Sequence, residues 1–70
     1  MGNINRTHYS ELNYLLWDMH QKYINPKVAF DLYERRWRYV DQSKLVEKEK
    51  KLISTLTNEF GGGVFMPAEY

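Results

Sequence analysis

Apolar residues along this chain recur at intervals of three, four and seven, which is the spacing of amphipathic helices. Three segments carry the pattern, and they predict helices over residues 7–24, 26–40 and 44–60. No alternating strand pattern, internal repeat or low-complexity tract is visible between them. The sequence therefore predicts an all-α fold, a small three-helix bundle formed by residues 1–60 as a single domain.

The first predicted helix opens at Thr7, a residue type suited to the N-cap position. Its apolar face consists of Tyr9, Leu12, Leu15, Leu16, Met19 and Tyr23. The helix should end near Asn25, because Pro26 restricts the residue before it to extended dihedral angles. Proline is itself favoured at the first position of a helix, so the second helix should begin there.

The second predicted helix has an apolar arc of roughly 200°, which is too wide to face a single neighbour. The arc consists of Val28, Ala29, Phe30, Leu32, Tyr33, Trp37, Tyr39 and Val40. We therefore expect this helix to lie between the other two. On the remaining strip, a spacing of four residues predicts side-chain pairs of Asp31 with Arg35 and of Glu34 with Arg38.

The third predicted helix ends in a glycine run. Its apolar face consists of Leu45, Leu52, Ile53, Leu56 and Phe60, and Gly61 is the expected residue just past a helix end. Residues 61–70 then read as a Gly-rich hinge and an apolar C-terminal tail. The tail either folds back to cap the open end of the bundle or stays mobile and docks elsewhere, because exposed apolar runs are uncommon without a purpose.

Arg36 and Glu49 are charged residues on otherwise apolar helix faces. A cation in such a place needs a partner or must extend to solvent. We therefore hypothesise an ion pair between Arg36 and Glu49 that joins helices two and three. The alternative is that the third helix starts later and that Glu49 lies in its solvated first turn.

Composition limits the classes of function. The 70 residues include no cysteine, which excludes disulfides, thiolate-bound zinc and thiol catalysis. The apolar runs are too short to span a bilayer and no secretory signal is visible, so we expect a soluble, cytoplasmic protein without membrane contact. The formal net charge is +1, and any affinity for nucleic acid must come from a local patch.

Histidines and carboxylates are not spaced as a catalytic or metal site. His8 and His20 lie several turns apart on the first helix, and Glu11 and Asp18 are too distant to cooperate as a carboxylate pair. The glycine run lacks the strand and lysine of a phosphate-binding loop. We expect no metal, no cofactor and no enzymatic activity.

An aromatic pair gives the first functional hypothesis. Tyr14 and Trp17 fall off the apolar face of the first helix, with Gln21 beside them. Tyrosine and tryptophan dominate binding hot spots, so this patch predicts a surface for a protein partner or for homodimerisation. Phe65 and Met66 of the tail are a second contact or a lid over the patch. The sequence thus favours a small interaction module, a regulator or adaptor.

Basic residues give the alternative hypothesis, a small nucleic-acid-binding regulator. A stripe at i, i+4 and i+7 on the outer face of helix three consists of Lys44, Lys48 and Lys51. Helix two, a short turn and helix three could then imitate a helix-turn-helix, with Arg35 and Arg38 as further contacts. Helix three has no arginine, although arginine makes the commonest specific contact with guanine, and Glu47 and Glu59 flank the stripe.

Overall fold

Three α-helices and a two-stranded antiparallel sheet form the chain in a computed structural model that describes residues 2–67. The helices are α1 (Ser10–Leu15), α2 (Pro26–Arg35) and α3 (Glu47–Phe60), and the strands are β1 (Ile4–Asn5) and β2 (Tyr23–Ile24). Short 3-10 turns cover Arg6–His8, Trp37–Tyr39 and Gln42–Lys44. Residue 1 of the predicted domain and residues 68–70 of the predicted tail lie outside the described residues. The predicted helical fold is thus confirmed in its coarse form, with a small sheet that the sequence did not indicate.

The first helix is much shorter than predicted. In place of a helix over 7–24, α1 covers six residues, a turn follows it, and the chain then enters β2. The sheet pairs Ile4 with Ile24, and both side chains are buried. A helix continued to residue 24 would leave Ile4 without this partner, so burial of the two isoleucines favours the strand pairing.

Helix α2 begins as predicted and ends early. The Asn25 side chain accepts a hydrogen bond from the Lys27 N–H at 2.8 Å, and Pro26 occupies the first turn. The helix ends at Arg35 instead of residue 40, and a 3-10 turn continues the chain. As expected, α2 packs against both α1 and α3.

Helix α3 starts three residues later than predicted and ends where predicted. Asp41 caps the preceding 3-10 turn by accepting a hydrogen bond from the Ser43 N–H at 3.1 Å. At the other end, the Gly61 N–H bonds to the Thr57 carbonyl at 2.9 Å. Gly62 and Gly63 then adopt φ of 61° and 85°, a region that favours glycine and that turns the chain away from the helix axis.

The tail folds back onto α2. The ring of Phe65 lies 6.2 Å from that of Phe30 and 5.0 Å from that of Trp37, centroid to centroid. The Met66 N–H donates to a carboxylate oxygen of Glu34 at 2.9 Å. Of the two alternatives for the tail, residues 64–67 therefore adopt the packed one.

The core lies between the three helices and the sheet. Its buried apolar side chains are Ile4, Leu12, Leu15, Leu16, Ile24, Ala29, Phe30, Leu32, Tyr33, Val40, Leu52 and Leu56. Four residues predicted on apolar faces are instead exposed: Tyr23, Val28, Tyr39 and Phe60. For Tyr39 the reason is the early end of α2, since the 3-10 turn directs this ring away from the core.

Glu49 is fully buried and caps α1 from another helix. Its carboxylate accepts hydrogen bonds from the N–H groups of Glu11 (3.2 Å) and Leu12 (2.9 Å) and from the Tyr33 hydroxyl (2.6 Å). Tyr9, at the N-cap of α1, supplies no side-chain bond of its own. Glu49 therefore satisfies two amide groups at the helix start that would otherwise lack partners.

The opposite end of α1 is held by arginines. The guanidinium of Arg6 donates to the backbone carbonyls of Asn13, Leu16, Met19 and Gln21 at 2.6–3.3 Å. The guanidinium of Arg36 donates to the Leu15 carbonyl at 2.8 Å. The carbonyls of Asn13, Leu15 and Leu16 are those of the helix end, where a positive charge is also favoured by the helix dipole.

Candidate interaction surface

Three exposed aromatic rings lie at the junction of α1 and α2. Tyr14 is on α1, Trp17 is in the turn after it, and Tyr39 is in the 3-10 turn after α2; their exposed fractions are 59%, 56% and 43%. Trp17 and Tyr39 make an edge-to-face contact with centroids 5.6 Å apart and an interplanar angle of 80°. We call these three residues the aromatic surface.

Arg36 fixes one side of Trp17. Its guanidinium lies 4.2 Å from the centroid of the indole and binds both carboxylate oxygens of Asp18, at 3.0 and 3.1 Å. The hydrogen bond from Arg36 holds the pKa of the Asp18 carboxyl below its usual range. Arg36 thereby orients the indole through a stacked, bidentate arrangement that lysine could not reproduce.

The predicted ion pair between Arg36 and Glu49 is wrong. Because α2 ends at Arg35, Arg36 turns toward the end of α1 and binds Leu15 and Asp18. Glu49 binds two backbone amides of α1 and a hydroxyl of α2 instead. The alternative, in which Glu49 is solvated, is also wrong, although α3 does start later than predicted.

Arginines surround an open pocket beside the aromatic surface. Its volume is about 470 Å³, and its lining consists of Trp17, Arg35, Arg36, Arg38 and Tyr39. We call it the arginine pocket. Arg38 donates to the Tyr39 hydroxyl at 2.8 Å and lies over that ring. The pocket thus combines guanidinium groups with the two rings of the aromatic surface.

The acidic partners predicted for these arginines bind elsewhere. Asp31 pairs with Lys27 at 2.9 Å, and Glu34 accepts the Met66 N–H at 2.9 Å. The early end of α2 removes Arg38 from the helical position one turn beyond Glu34. Within residues 2–67, no carboxylate lies at ion-pair distance from Arg35. Arg35 therefore lacks the acidic partner that the sequence indicated for it.

A second open pocket lies on the other side of Tyr39. Its volume is about 540 Å³, and its lining consists of Ser10, Glu11, Tyr14, Tyr39, Asp41 and Lys44. Glu11 is buried there and accepts the Asp41 N–H at 2.9 Å. Tyr39 lines both pockets, so the aromatic surface is a continuous feature with a polar depression on each side.

The other residues predicted to bind a partner lie in different surroundings. Phe65 packs on Phe30 and Trp37, Met66 is exposed, and Gln21 lines a shallow depression with Asp18, Met19 and His20. Tyr14 and Trp17 are more than half exposed, so Phe65 and Met66 do not form the predicted lid over them.

The predicted lysine stripe does not lie on one helix. Lys44 belongs to the 3-10 turn before α3 and has its ammonium group 3.9 Å from Asp41. Lys48 lies over the ring of Tyr9, and Lys51 is exposed on α3. The helical part of the stripe therefore contains only Lys48 and Lys51, because α3 starts at Glu47.

Sequence reasoning missed three contributors to this region. Arg6 precedes every predicted helix, and nothing in its neighbours indicates that it binds the far end of α1. Asp18 was considered only as a catalytic group, and Tyr39 was assigned to the core. Nothing in the sequence around Tyr39 indicates that its ring contacts Trp17. That contact depends on tertiary structure.

The described residues offer neither a metal centre nor a membrane-spanning helix. No three or more histidine, aspartate or glutamate side chains among residues 2–67 are placed to hold a metal ion together. No helix in the same range is long and apolar enough to cross a membrane. Comparison with protein-family models, curated proteins and solved structures finds no match. The function is therefore inferred from the chain's own geometry.

Proposed function

We propose that this chain is a small non-enzymatic protein-interaction module, a regulator or adaptor, that binds its partner through the aromatic surface. The observation that carries the proposal is the exposure of Tyr14, Trp17 and Tyr39 in one continuous region. Tryptophan, tyrosine and arginine are the residues most enriched in binding hot spots, and all three types meet here. The partner is another protein or a second copy of the chain.

The fixed geometry of Trp17 adds support. An indole held by Arg36 on its face and by an edge-to-face contact with Tyr39 loses little conformational freedom on binding. The buried carboxylates, by contrast, are used for structure: Glu49 binds the start of α1, and Glu11 binds the Asp41 N–H. Those assignments favour recognition over catalysis as the role of the chain.

Site-specific photo-crosslinking tests the proposal. The chain has no cysteine, so Ser10→Cys introduces a single thiol in the pocket beside Tyr14 and Tyr39. The Ser10→Cys variant is labelled with a benzophenone maleimide and irradiated in an extract of the producing cells. We expect one discrete adduct between the labelled chain and its partner. A second copy of the chain would double the mass, and another protein would be identified by mass spectrometry.

Two controls decide the outcome. The same label at Ser54→Cys, on an exposed position of α3, should not give that adduct. Adding Trp17→Ser to Ser10→Cys should abolish it. An adduct that forms equally from position 54, or that survives loss of the indole, would contradict a role for the aromatic surface.

Nucleic-acid binding is the second candidate, and one observation favours it. Arg35 and Arg38 lie beside exposed aromatic rings, a combination that single-stranded nucleic acid also uses. Titration of a labelled oligonucleotide at several salt concentrations tests it, because phosphate contacts make affinity fall steeply with salt. Affinity that falls with salt and is lost in an Arg35→Gln, Arg38→Gln variant would favour this candidate.

A further inference from the structure

No acidic residue lines the arginine pocket. Its lining contains three arginines. Asp18 pairs with Arg36. Of the two other nearby carboxylates, Asp31 pairs with Lys27, and Glu34 accepts the Met66 N–H. Arg35 is therefore the arginine of this pocket whose charge can be offered to a group from outside the described residues.

Arg35 is the residue most available to such a group. It lies at the exposed end of α2, and no carboxylate among residues 2–67 is at ion-pair distance from it. Arg36 beside it is already fixed by Asp18 and the Leu15 carbonyl. A carboxylate that arrives at Arg35 could therefore pair with its guanidinium without displacing another carboxylate.

The ring geometry favours a compact ligand over a nucleic-acid strand. Trp17 and Tyr39 are nearly perpendicular, and Arg36 covers a face of the indole. Successive bases of a single strand stack on rings whose faces are open along a groove. Trp17 and Tyr39 are not arranged in this way. A single apolar side chain, in contrast, can pack against the exposed part of the indole next to the charged groups.

We infer that the arginine pocket binds an acidic peptide segment of a protein partner, with an aspartate or glutamate paired to Arg35 and a neighbouring apolar side chain on Trp17. This inference rests on the proposed function and specifies the partner's chemistry. A second copy of the chain is disfavoured, because a two-fold contact through this pocket would place its arginines against each other.

Selection from a random peptide library displayed on phage tests the inference. Immobilised wild-type chain should enrich peptides that contain an acidic residue next to an apolar one. The Trp17→Ser variant should enrich none of them, and Arg35→Glu should lose the acidic preference. Lys51→Glu is the matched control, since it makes the same charge change at an exposed position of α3 and should select as the wild type does.

A synthetic version of the most enriched peptide then gives the size of the effect by fluorescence anisotropy. Arg35→Glu should weaken its binding by about tenfold, as attraction from one exposed pair is replaced by repulsion. Lys51→Glu should leave it within about twofold, because Lys51 does not line the pocket and an exposed charge is screened by salt. Replacing the peptide's carboxylates by amides should weaken binding to wild type but not to Arg35→Glu.

The outcomes separate this inference from the proposed function. Enrichment of neutral or basic peptides that depends on Trp17 would overturn the inference and leave the proposed function standing. Failure of the wild-type chain to enrich any peptide over a blank surface would overturn the inference, whereas the crosslinking result decides the proposed function by itself. Tighter binding of a single-stranded oligonucleotide than of the best peptide would also overturn it, in favour of a nucleic-acid ligand.

Discussion

Glu49 shows how a single buried side chain joins all three helices. It lies on α3, accepts two amide hydrogen bonds from α1, and accepts the hydroxyl of Tyr33 from α2. A carboxylate can be buried because its oxygen atoms have donors in place of water. Tyr33 is also fully enclosed, so the polar contact lies inside the hydrophobic core.

Replacing this carboxylate should therefore destabilise the fold. Glu49→Gln keeps the shape but places an N–H₂ group against a backbone donor, and we expect a loss of about 1–3 kcal/mol in the free energy of unfolding. The matched control is Glu47→Gln, an exposed position in the same helical turn, which should change stability by less than about 0.5 kcal/mol. Urea unfolding followed by circular dichroism measures both, and equal effects would contradict the capping role.

Tyr33 should make stability fall at alkaline pH. Burial, and then the hydrogen bond to Glu49, raise the pKa of its hydroxyl far above the ordinary value of 10.0. A raised pKa in the folded state means that the protonated phenol contributes stability fully below pH 10, and that this contribution declines as the pH rises further. Above that pH, wild type should lose up to about 1.4 kcal/mol per pH unit relative to Tyr33→Phe.

Urea unfolding of the two proteins at pH 7, 9, 10.5 and 11 measures this difference. The other tyrosines are present in both proteins, so their titration cancels in the comparison. A stability difference that stays constant from pH 7 to pH 11 would show that the Tyr33 hydroxyl ionises without penalty in the folded chain.

At the scale of elements, α1 depends on the rest of the molecule. Six residues are far too few for a stable isolated helix, since nucleation is unfavourable and few backbone bonds follow it. Its start is bound by the carboxylate of Glu49, and its end by the guanidinium groups of Arg6 and Arg36. Both charges have the sign that the helix dipole favours.

Arg6→Lys tests this dependence. The planar guanidinium reaches several carbonyl groups at once, which a single ammonium group cannot, so we expect a loss of about 1–3 kcal/mol from carbonyls left without donors. Hydrogen exchange should also become faster in α1 than in α3. Arg35→Lys, at an exposed position, is the control and should change neither quantity. Equal protection of α1 in both variants would contradict the role of Arg6.

At the scale of the whole molecule, aromatic residues divide between two functions. Phe65 and Trp37 pack together against the core, while Tyr14, Trp17 and Tyr39 remain exposed. A chain of 70 residues has a small core, and leaving such large rings in solvent forgoes some of the burial available to it. We attribute their exposure to the proposed partner.

Sedimentation equilibrium on the intact chain distinguishes the possible partners. If the arginine pocket repels a second copy, the chain should be a monomer at low salt, and the Tyr14→Ser, Trp17→Ser variant should be a folded monomer as well. A wild-type dimer that becomes a monomer in the variant would identify the aromatic surface as a self-association site. That result would replace the acidic peptide with a second copy as the partner.

Local rules explain how much of the fold could be predicted. The start of α2 at Pro26 and the end of α3 at Gly61 follow from residues within one turn, and both predictions are confirmed. The end of the first helix could not be predicted this way. It depends on the pairing of Ile4 with Ile24 and on donors from Arg6, which a helical wheel does not include.

The candidate site was predictable only in part. Tyr14 and Trp17 could be placed off the apolar face because their spacing conflicts with it, whereas Tyr39 fitted the predicted arc of α2 until that helix ended early. The partners of the arginines were predicted from i to i+4 spacing. The early helix end and the packed tail changed these partners, and neither can be read from spacing alone.

The sequence by itself determined the helical character of the chain, the start of α2 and the glycine end of α3, because capping, proline and glycine act over a few neighbouring residues. The tertiary structure decided which charges are buried and which rings are exposed. Glu49 binds the Leu12 amide, 37 positions earlier, and Arg36 binds Asp18. Such contacts depend on how distant segments pack, since burial and hydrogen bonding select among partners that periodicity cannot distinguish.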